Sequence, residues 1–481
     1  MELVTKKAMK CIQEADVIVY DNLIDISLLN YASLNTELIY AGKEAANHYL
    51  SQGSIIELLM DKAREGKYVV RLKGGDPYLF GRGSEEALAL KEAGISYEIV
   101  SGVTSSIAVP AYAGIPVTDR RFVSSCHIIT AHREDEAGID FENISKLEGT
   151  LVFMMGLAKL HHIVQGLTLH GKASDTPVAV LSDGSRYNRR KCVGTLADIE
   201  EKVKESKLLP PAIIVVGEVV SLSNELDNFL ERYSDKKLFR KKILLTGTRY
   251  ICNKIKAALA DEGCDIDEIS IIESVPIESD FYNNIEKYIE SHDYLVFSSA
   301  NGIRVFFEKL KELHNVDLRK LSNIKFAVIG KGSAQTLRNY GYIADFVPSS
   351  FSNKDLAVEL CKQLKGEKLL LLRAREASAE LVEELEANKV EYTDVPLYET
   401  FRDYRRTFDI KRLIKNYDYV VVASSITAYT LCEMVEDKAL LEGRVVSIGP
   451  VTTGTCKRLG VEPLMSAREY SVDGIVRALL Q

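Results

Sequence analysis

Residues 71–84 read RLKGGDPYLFGRGS. The paired glycines Gly74 and Gly75 can take positive φ and let a ligand lie against bare backbone. Asp76 adds a carboxylate able to accept hydrogen bonds from a ribose or an amino group, and Pro77 stiffens the turn. Gly-Gly-Asp alone is often only a turn; the whole run is much more specific. The sequence has no GxGxxG with an acid about 20 residues on, and no Walker lysine–serine pair, which argues against the usual NAD and ATP loops. A second group of interest lies in the other half, where hydroxyls follow apolar runs: Ser298, Ser299, Ser333, Ser424, Ser425, Thr452 and Thr453. They suit a cleft that holds a ligand by hydrogen bonds, although serines after strands are most often helix caps.

The elements that must position these residues alternate. Short apolar runs at Val17–Tyr20, 68–72, 151–155, 213–216, 243–245, 295–297, 326–329, 369–372, 420–422 and 445–448 are each followed by a turn and a helical stretch. Continuous apolar strands with helices between them predict α/β sheets covered on both faces and mostly parallel. Ligands then gather at the carboxyl ends of the strands. The stretch 223–242 is the most polar and helix-like, and places the main boundary near 237–238. The second half repeats itself: DYLVFSSANGIRVF (293–306) resembles DYVVVASSITAYTL (418–431), and Ile329–Gly330 resembles Ile448–Gly449. Two similar β/α lobes forming a cleft are expected.

With 481 residues, and about 150 per domain, the chain has room for about three domains or two two-lobed enzymes. Apolar residues make up 46% and charged residues 27%, which excludes disorder as the main theme. The net charge of −8 gives no global attraction for nucleic acid or an anionic membrane. No apolar run reaches the roughly 18 residues of a membrane helix, and MELVTKKAMK is not a signal peptide. The eight cysteines lack CxxC or other ligand spacing, so neither a disulfide framework nor a metal site is expected, and a cytoplasmic protein is.

The run KGGDPYLFGRGSEE resembles the signature of uroporphyrinogen-III C-methyltransferase, an S-adenosylmethionine-dependent family with the two-lobed tetrapyrrole methylase fold. ADVIVYDNLI (15–24), AGK (41–43), SGVTSS (101–106), AYAGIPVTDR (111–120), MMG (154–156), GTL (194–196) and PAIIVVGEVV (211–220) follow in register. The resemblance covers residues 1–225. It implies Asp21 as proton acceptor and Lys43 as proton donor. It implies Gly74, Gly75, Asp76, Leu79, Thr104, Ser105, Met155 and Gly184 as contacts of S-adenosylmethionine, and a homodimer formed through this domain. Methyl transfer from a sulfonium needs no acid at its neutral leaving group, but a base must take the proton displaced from an alkylated pyrrole carbon. Asp21 ends the run Val17–Tyr20, where such a base would stand; it could also be a turn or helix-start aspartate. Lys43 could equally pair with a substrate carboxylate, and Met155 could be simple core. The implied substrate is ringed by carboxylates, which arginine forks suit. Arg120–Arg121 and RYNRRK (186–191) offer such groups or are merely solvated surface, and His48 matches a family histidine as a substrate contact. The family begins with a strand and a glycine-rich loop before the segment matching 2–5. The sequence begins at Met1, within the end of that loop, so a start further upstream is expected; the alternative is an impaired methyltransferase.

Residues 226–240 read as a linker. Residues 241–481 resemble uroporphyrinogen-III synthase through FSSANG (297–302), VIGKGS (328–333), PLYET (396–400), VASS (422–425) and SIGPVTTG (447–454). That family closes hydroxymethylbilane with inversion of ring D: a hydroxyl leaves as water, and an azafulvene cation and a spiro intermediate follow. The resemblance implies Tyr398 as the residue assisting the departing hydroxyl, with Ser298, Ser333 and Thr452 facing substrate; Tyr398 could instead be a strand-end packing residue. Lys331, Arg373 and Arg375 follow strands and suit acetates and propionates. The two resemblances together imply a fusion of consecutive enzymes that makes uroporphyrinogen III, methylates it at C-2 and C-7 to precorrin-2, and feeds sirohaem or cobalamin synthesis. The alternatives are a chain with only the synthase active, or a non-catalytic tetrapyrrole-binding protein.

Overall fold

The structure, a computed structural model, describes residues 2–42, 50–131, 138–313, 317–350 and 352–481. The chain divides into two compact units, Met1–Ile269 with Arg405–Gln481, and Ser270–Tyr404.

The first unit opens with a parallel sheet of order β2-β1-β3: β1 (Val17–Tyr20), β2 (Glu37–Tyr40) and β3 (Val69–Leu72). The central β1, VIVY, is buried along its whole length, so it reads as a continuous apolar run rather than an alternation. Asp16 fixes its start by accepting the Tyr68 amide at 2.8 Å. Val17 and Val19 pack with Ile55 and Leu59 of the helix Gln52–Arg64. Each such aliphatic side chain contributes about 1.5–3 kcal/mol when fully buried.

A second sheet has order β4-β5-β8-β6-β7: β4 (Cys126–Thr130), β5 (Thr150–Met154), β6 (Pro177–Ser182), β7 (Arg190–Thr195) and β8 (Ala212–Val216). It departs from the expected parallel pattern. Only β4 and β5 run parallel; β5–β8, β6–β8 and β6–β7 are antiparallel. The apolar runs misled because the sheet has an apolar core on each face, one with Phe153 and Val180, the other with Val152 and Leu181. Two-sided burial, not strand direction, makes such runs continuous. The polar stretch after β8 is less of a free link than its composition suggests: Phe229, Tyr233 and Leu238 are buried.

The chain then forms β9 (Lys242–Leu245) and β10 (Asp265–Glu268). The second unit holds β11 (Ile272–Pro276), β12 (Tyr294–Phe297), β13 (Lys325–Val328), β14 (Leu369–Ala374) and β15 (Tyr392–Arg402) in the order β11-β15-β14-β12-β13. Only β11 is antiparallel to its neighbour. Back in the first unit, β16 (Tyr419–Val422), β17 (Val445–Ser447) and β18 (Met465–Ser466) complete the parallel sheet β10-β9-β16-β17-β18.

The repeated segments are the same βα unit. After β12, Ser299 caps the helix Ala300–Glu312 by accepting the Gly302 amide; after β16, Ser424 caps Ser425–Met434 by accepting the Thr427 amide. The aspartate that opens each copy serves its neighbour strand. Asp293 accepts the Lys368 amide and Asp418 the Lys242 amide, both at 2.8 Å.

Candidate active sites

Asp21 follows the last residue of β1. Its Oδ1 accepts the Leu23 amide at 2.9 Å and its Oδ2 accepts from Arg71 Nη2 at 3.1 Å. Arg71 is anchored by donating to the carbonyls of Val19 and Leu72. Behind it lies buried Glu86, which accepts from Lys73 Nζ and Gln52 Nε2, each at 3.1 Å. Burial, then the nearby Arg71 charge, pulls the Lys73 ammonium below its ordinary value. Two carboxylates and two cations thus balance at the ends of β1 and β3. Asp21 is held at both oxygens, yet each oxygen keeps a further lone pair for a proton.

The loop after β3 packs against this acid. A Cβ on Gly74 would fall 2.8 Å from the Leu23 carbonyl oxygen, so no side chain fits there. Gly75 sits at φ +75, which favours glycine, and its exposed side is open. A Cβ on Gly102 would fall 2.1 Å from the Gly75 carbonyl oxygen, so the SGVTSS turn also lies against the glycine loop. Asp76 fastens the two: Oδ1 accepts the Tyr78 amide at 2.9 Å and Oδ2 the Gly102 amide at 3.1 Å. Thr104 caps the helix Ser105–Tyr112, accepting from the Ser106 amide. That helix carries Val109, whose Cγ1 would lie 2.2 Å from a Cβ on Gly184. Asp21, Gly74, Gly75, Asp76, Thr104, Ser105 and Gly184 therefore form one chain of touching segments, and Leu79 closes the glycine loop with its amide donating to the Asp76 carbonyl. Met155 is not core. It is 51% exposed at φ +55 just past β5, a conformation that costs a non-glycine residue roughly 1 kcal/mol or more.

Gly184 also lines a cavity of about 260 Å³ with Val109, Lys191, Asp227 and Phe229. The Arg189 guanidinium, another lining group, lies 3.6 Å above the Phe229 ring. The basic run 186–191 is otherwise tied down. Arg186 pairs with Asp267 at 3.1 Å, Lys191 with Asp227 at 2.7 Å, and Arg190 donates to the Ser206 carbonyl. Arg121 forms a fork with Asp119, whereas Arg120 is exposed. Lys43 and His48 lie outside the described residues.

In the second unit, Tyr398 lies within β15, not at a strand end, beside a register shift between Arg373 and Ala374. Its hydroxyl shares a 2.8 Å hydrogen bond with Ser299 Oγ. Tyr398 is only 5% exposed, and burial pushes its hydroxyl above the ordinary value. Ser299 is thus both helix cap and tyrosine partner; Ser298 beside it is partly exposed. Arg373 is committed to a two-bond pair with Asp394 and Arg375 to Glu399, while Lys331 is exposed. Ser333 and, in the first unit, Thr452 occupy equivalent places in the helices Lys331–Arg338 and Pro450–Arg458, and both are buried.

Two family models match the chain: Tetrapyrrole (Corrin/Porphyrin) Methylases over residues 1–200, and Uroporphyrinogen-III synthase HemD over residues 253–477. The chain is 35% identical over 486 residues to "Porphyrin biosynthesis protein HemD" of Ruminiclostridium josui, covering 100% of this chain and 95% of that protein. It is 49% identical over 223 residues to the uroporphyrinogen-III C-methyltransferase of Methanocaldococcus jannaschii, covering 46% of this chain and 92% of that one. The chain belongs to both families, as a fusion. Among solved structures, uroporphyrin-III C-methyl transferase from Thermus thermophilus, complexed with S-adenyl homocysteine, matches at 33% identity. It covers 46% of this chain and 94% of that chain, with a TM-score of 0.40.

The methylase part is similar to an S-adenosyl-L-methionine-dependent uroporphyrinogen III methyltransferase of Methanosarcina barkeri, 50% identical over 228 residues, covering 47% of this chain and 89% of that one. The residues of this chain fit S-adenosylmethionine: Gly75 presents exposed, side-chain-free backbone, and Met155 stands exposed in a strained conformation. Among the described residues no group of three or more His, Cys, Asp or Glu is placed to hold a metal ion, and no helix is long and apolar enough to cross a membrane. The sequence reading of the methylase part missed Arg71, Lys73, Glu86 and Gly102. The signal for the first three was there, as cations flanking the strand end and an acid one turn into the next helix. Gly102 shows its role only once the two loops meet.

Proposed function

We propose that residues 1–225 methylate uroporphyrinogen III at C-2 and C-7 to give precorrin-2, and that residues 241–481 make that uroporphyrinogen III from hydroxymethylbilane, with 226–240 as linker. When bound, S-adenosylmethionine supplies an electrophilic methyl group on a sulfonium. Gly74, Gly75, Asp76 and Leu79 would hold it from one side, with Thr104, Ser105, Met155 and Gly184 lining the rest. The observation that carries the reading is the contact of the Asp21 loop with Gly74, which sets a fixed carboxylate beside the cofactor loop. Asp21 takes the proton that leaves the alkylated pyrrole carbon, and Arg71 and the Leu23 amide keep its carboxylate from turning away. Proximity of this kind matters more than acid strength, because the leaving thioether is neutral. Lys43 is the proton donor, and His48 and Arg120 contact substrate carboxylates.

In the synthase part, Tyr398 donates a hydrogen bond to the departing hydroxyl of hydroxymethylbilane, its own hydroxyl oriented by Ser299. Ser298 and Ser333 offer hydroxyls to the substrate. The protein works in the cytoplasm as a homodimer through its methylase part, on the way to sirohaem or cobalamin. Incubating the purified chain with hydroxymethylbilane, with and without S-adenosylmethionine, tests both steps. Precorrin-2 should appear only with the methyl donor. Uroporphyrinogen III alone in both tubes would reject the methyltransferase, and neither product would leave a binding protein.

A further inference from the structure

The end of β1 is held by residues from far along the chain. The Tyr20 hydroxyl lies 3.1 Å from both oxygens of Asp409, which is 0% exposed. Arg406, itself 1% exposed, donates Nε to the same carboxylate at 3.1 Å and Nη1 to Asn30 Oδ1 at 2.6 Å. Arg412 donates to Asn22 Oδ1, lies 3.5 Å from Asp409 Oδ1 and stands 4.6 Å over the Tyr40 ring. Its buried Nε has no hydrogen-bond partner among the described residues. Tyr20 and Tyr40 are the last residues of β1 and β2. The helix Thr407–Leu413, within the synthase match, therefore grips the residues on both sides of Asp21.

A buried ionic cluster of this kind is a poor device for stability alone, because desolvation offsets its attraction and apolar packing would serve as well. What hydrogen bonds add is a fixed direction. The strand end they fix carries Asp21, and the next turn presses on Gly74. We infer that Asp409 and Arg412 are positioning residues of the methyltransferase site, so that the synthase part sets the methylation geometry. This rests on the reading of Asp21 as the base.

The test uses the full-length chain with Asp409→Asn, Arg412→Gln and Arg412→Lys. Methylation of supplied uroporphyrinogen III should lose roughly ten- to a hundredfold in kcat for Asp409→Asn and Arg412→Gln, as expected when a reacting group shifts by about 1 Å. Arg412→Lys, at a site that is not fully enclosed, should recover part of it, and ring closure should stay near wild type. Amide hydrogen exchange of peptides spanning 20–24 and 73–83 should speed up in the same variants. Unchanged kcat, or a parallel fall of both activities with the melting temperature, overturns the inference. If the wild-type chain does not methylate supplied uroporphyrinogen III, the functional reading fails. Exchange then decides the brace: faster exchange at 20–24 supports it, and unchanged exchange overturns it.

Discussion

The Asp76 carboxylate accepts the Gly102 amide at 3.1 Å, and that bond joins the glycine loop after β3 to the turn that opens the helix Ser105–Tyr112. The same two segments touch at Gly75, whose carbonyl leaves no room for a Cβ on Gly102. A charged acceptor and a missing side chain therefore set one geometry from two directions.

Asp76→Asn keeps the size but removes the charge and leaves one acceptor oxygen for two amides. An uncharged acceptor makes a hydrogen bond about half as strong, so S-adenosylhomocysteine should bind roughly 1–2 kcal/mol more weakly, about five- to thirtyfold in Kd. Gly102→Ala should be worse, because backbone, not a flexible side chain, must move. Isothermal titration with S-adenosylhomocysteine checks both. Binding as tight as wild type in Gly102→Ala would remove this loop from the cofactor site.

Asp21→Asn keeps one acceptor oxygen, enough for the Leu23 amide or for Arg71 but not both, and cannot take a proton. Methylation should fall by about 10²–10⁴, the usual contribution of a general base. Ring closure and S-adenosylhomocysteine binding should hardly change. Rates measured separately with uroporphyrinogen III and hydroxymethylbilane decide it; equal loss of both would contradict separate sites.

Tyr398→Phe deletes the hydroxyl that Ser299 shares but leaves the Gly302 cap intact. Ring closure should slow by roughly ten- to a hundredfold, at the lower end of what a positioned acid supplies. Stability should drop by only about 1 kcal/mol, the worth of one hydrogen bond. Ser299→Ala removes the cap as well, so its melting temperature should fall further than that of Tyr398→Phe. A synthase rate unaffected in Tyr398→Phe would make the residue a packing group.

These sites were unequally legible in the sequence. The twin βα units at 293–306 and 418–431 show themselves because each packs an apolar run and then a serine cap into 14 neighbouring residues, and the glycine loop because its whole signal lies within residues 71–84. β2 and β7 do not, since ELIY is only half-buried and RKCVGT is largely polar. β15 is hidden differently: PLYET looks like a strand end, yet the strand runs on to Arg402. The basic run at 186–191 looks like a substrate patch because its acidic partners Asp265 and Asp267 lie about 80 residues away. The hold of Asp409 on Tyr20 spans 389 positions, and no local pattern can announce it.

Cys264 should make stability fall at alkaline pH. It is buried, and burial, with the Asp265 carboxylate next, pushes its thiol up to about 12 from 9.0. A raised pKa means that the folded chain favours the protonated thiol. The stabilisation is complete below the unfolded value near 9 and is lost as pH climbs from there towards 12, where the unfolded chain releases the proton first. Cys456, pushed up to about 11 mainly by burial, acts in the same direction. Melting temperatures followed by circular dichroism should be flat from about pH 7 to 9 and then decline. Cys264→Ala starts from a slightly lower melting temperature because of the small cavity it leaves, but its decline above pH 9 should be shallower. A decline as steep as that of wild type would mean that the thiol is not what titrates.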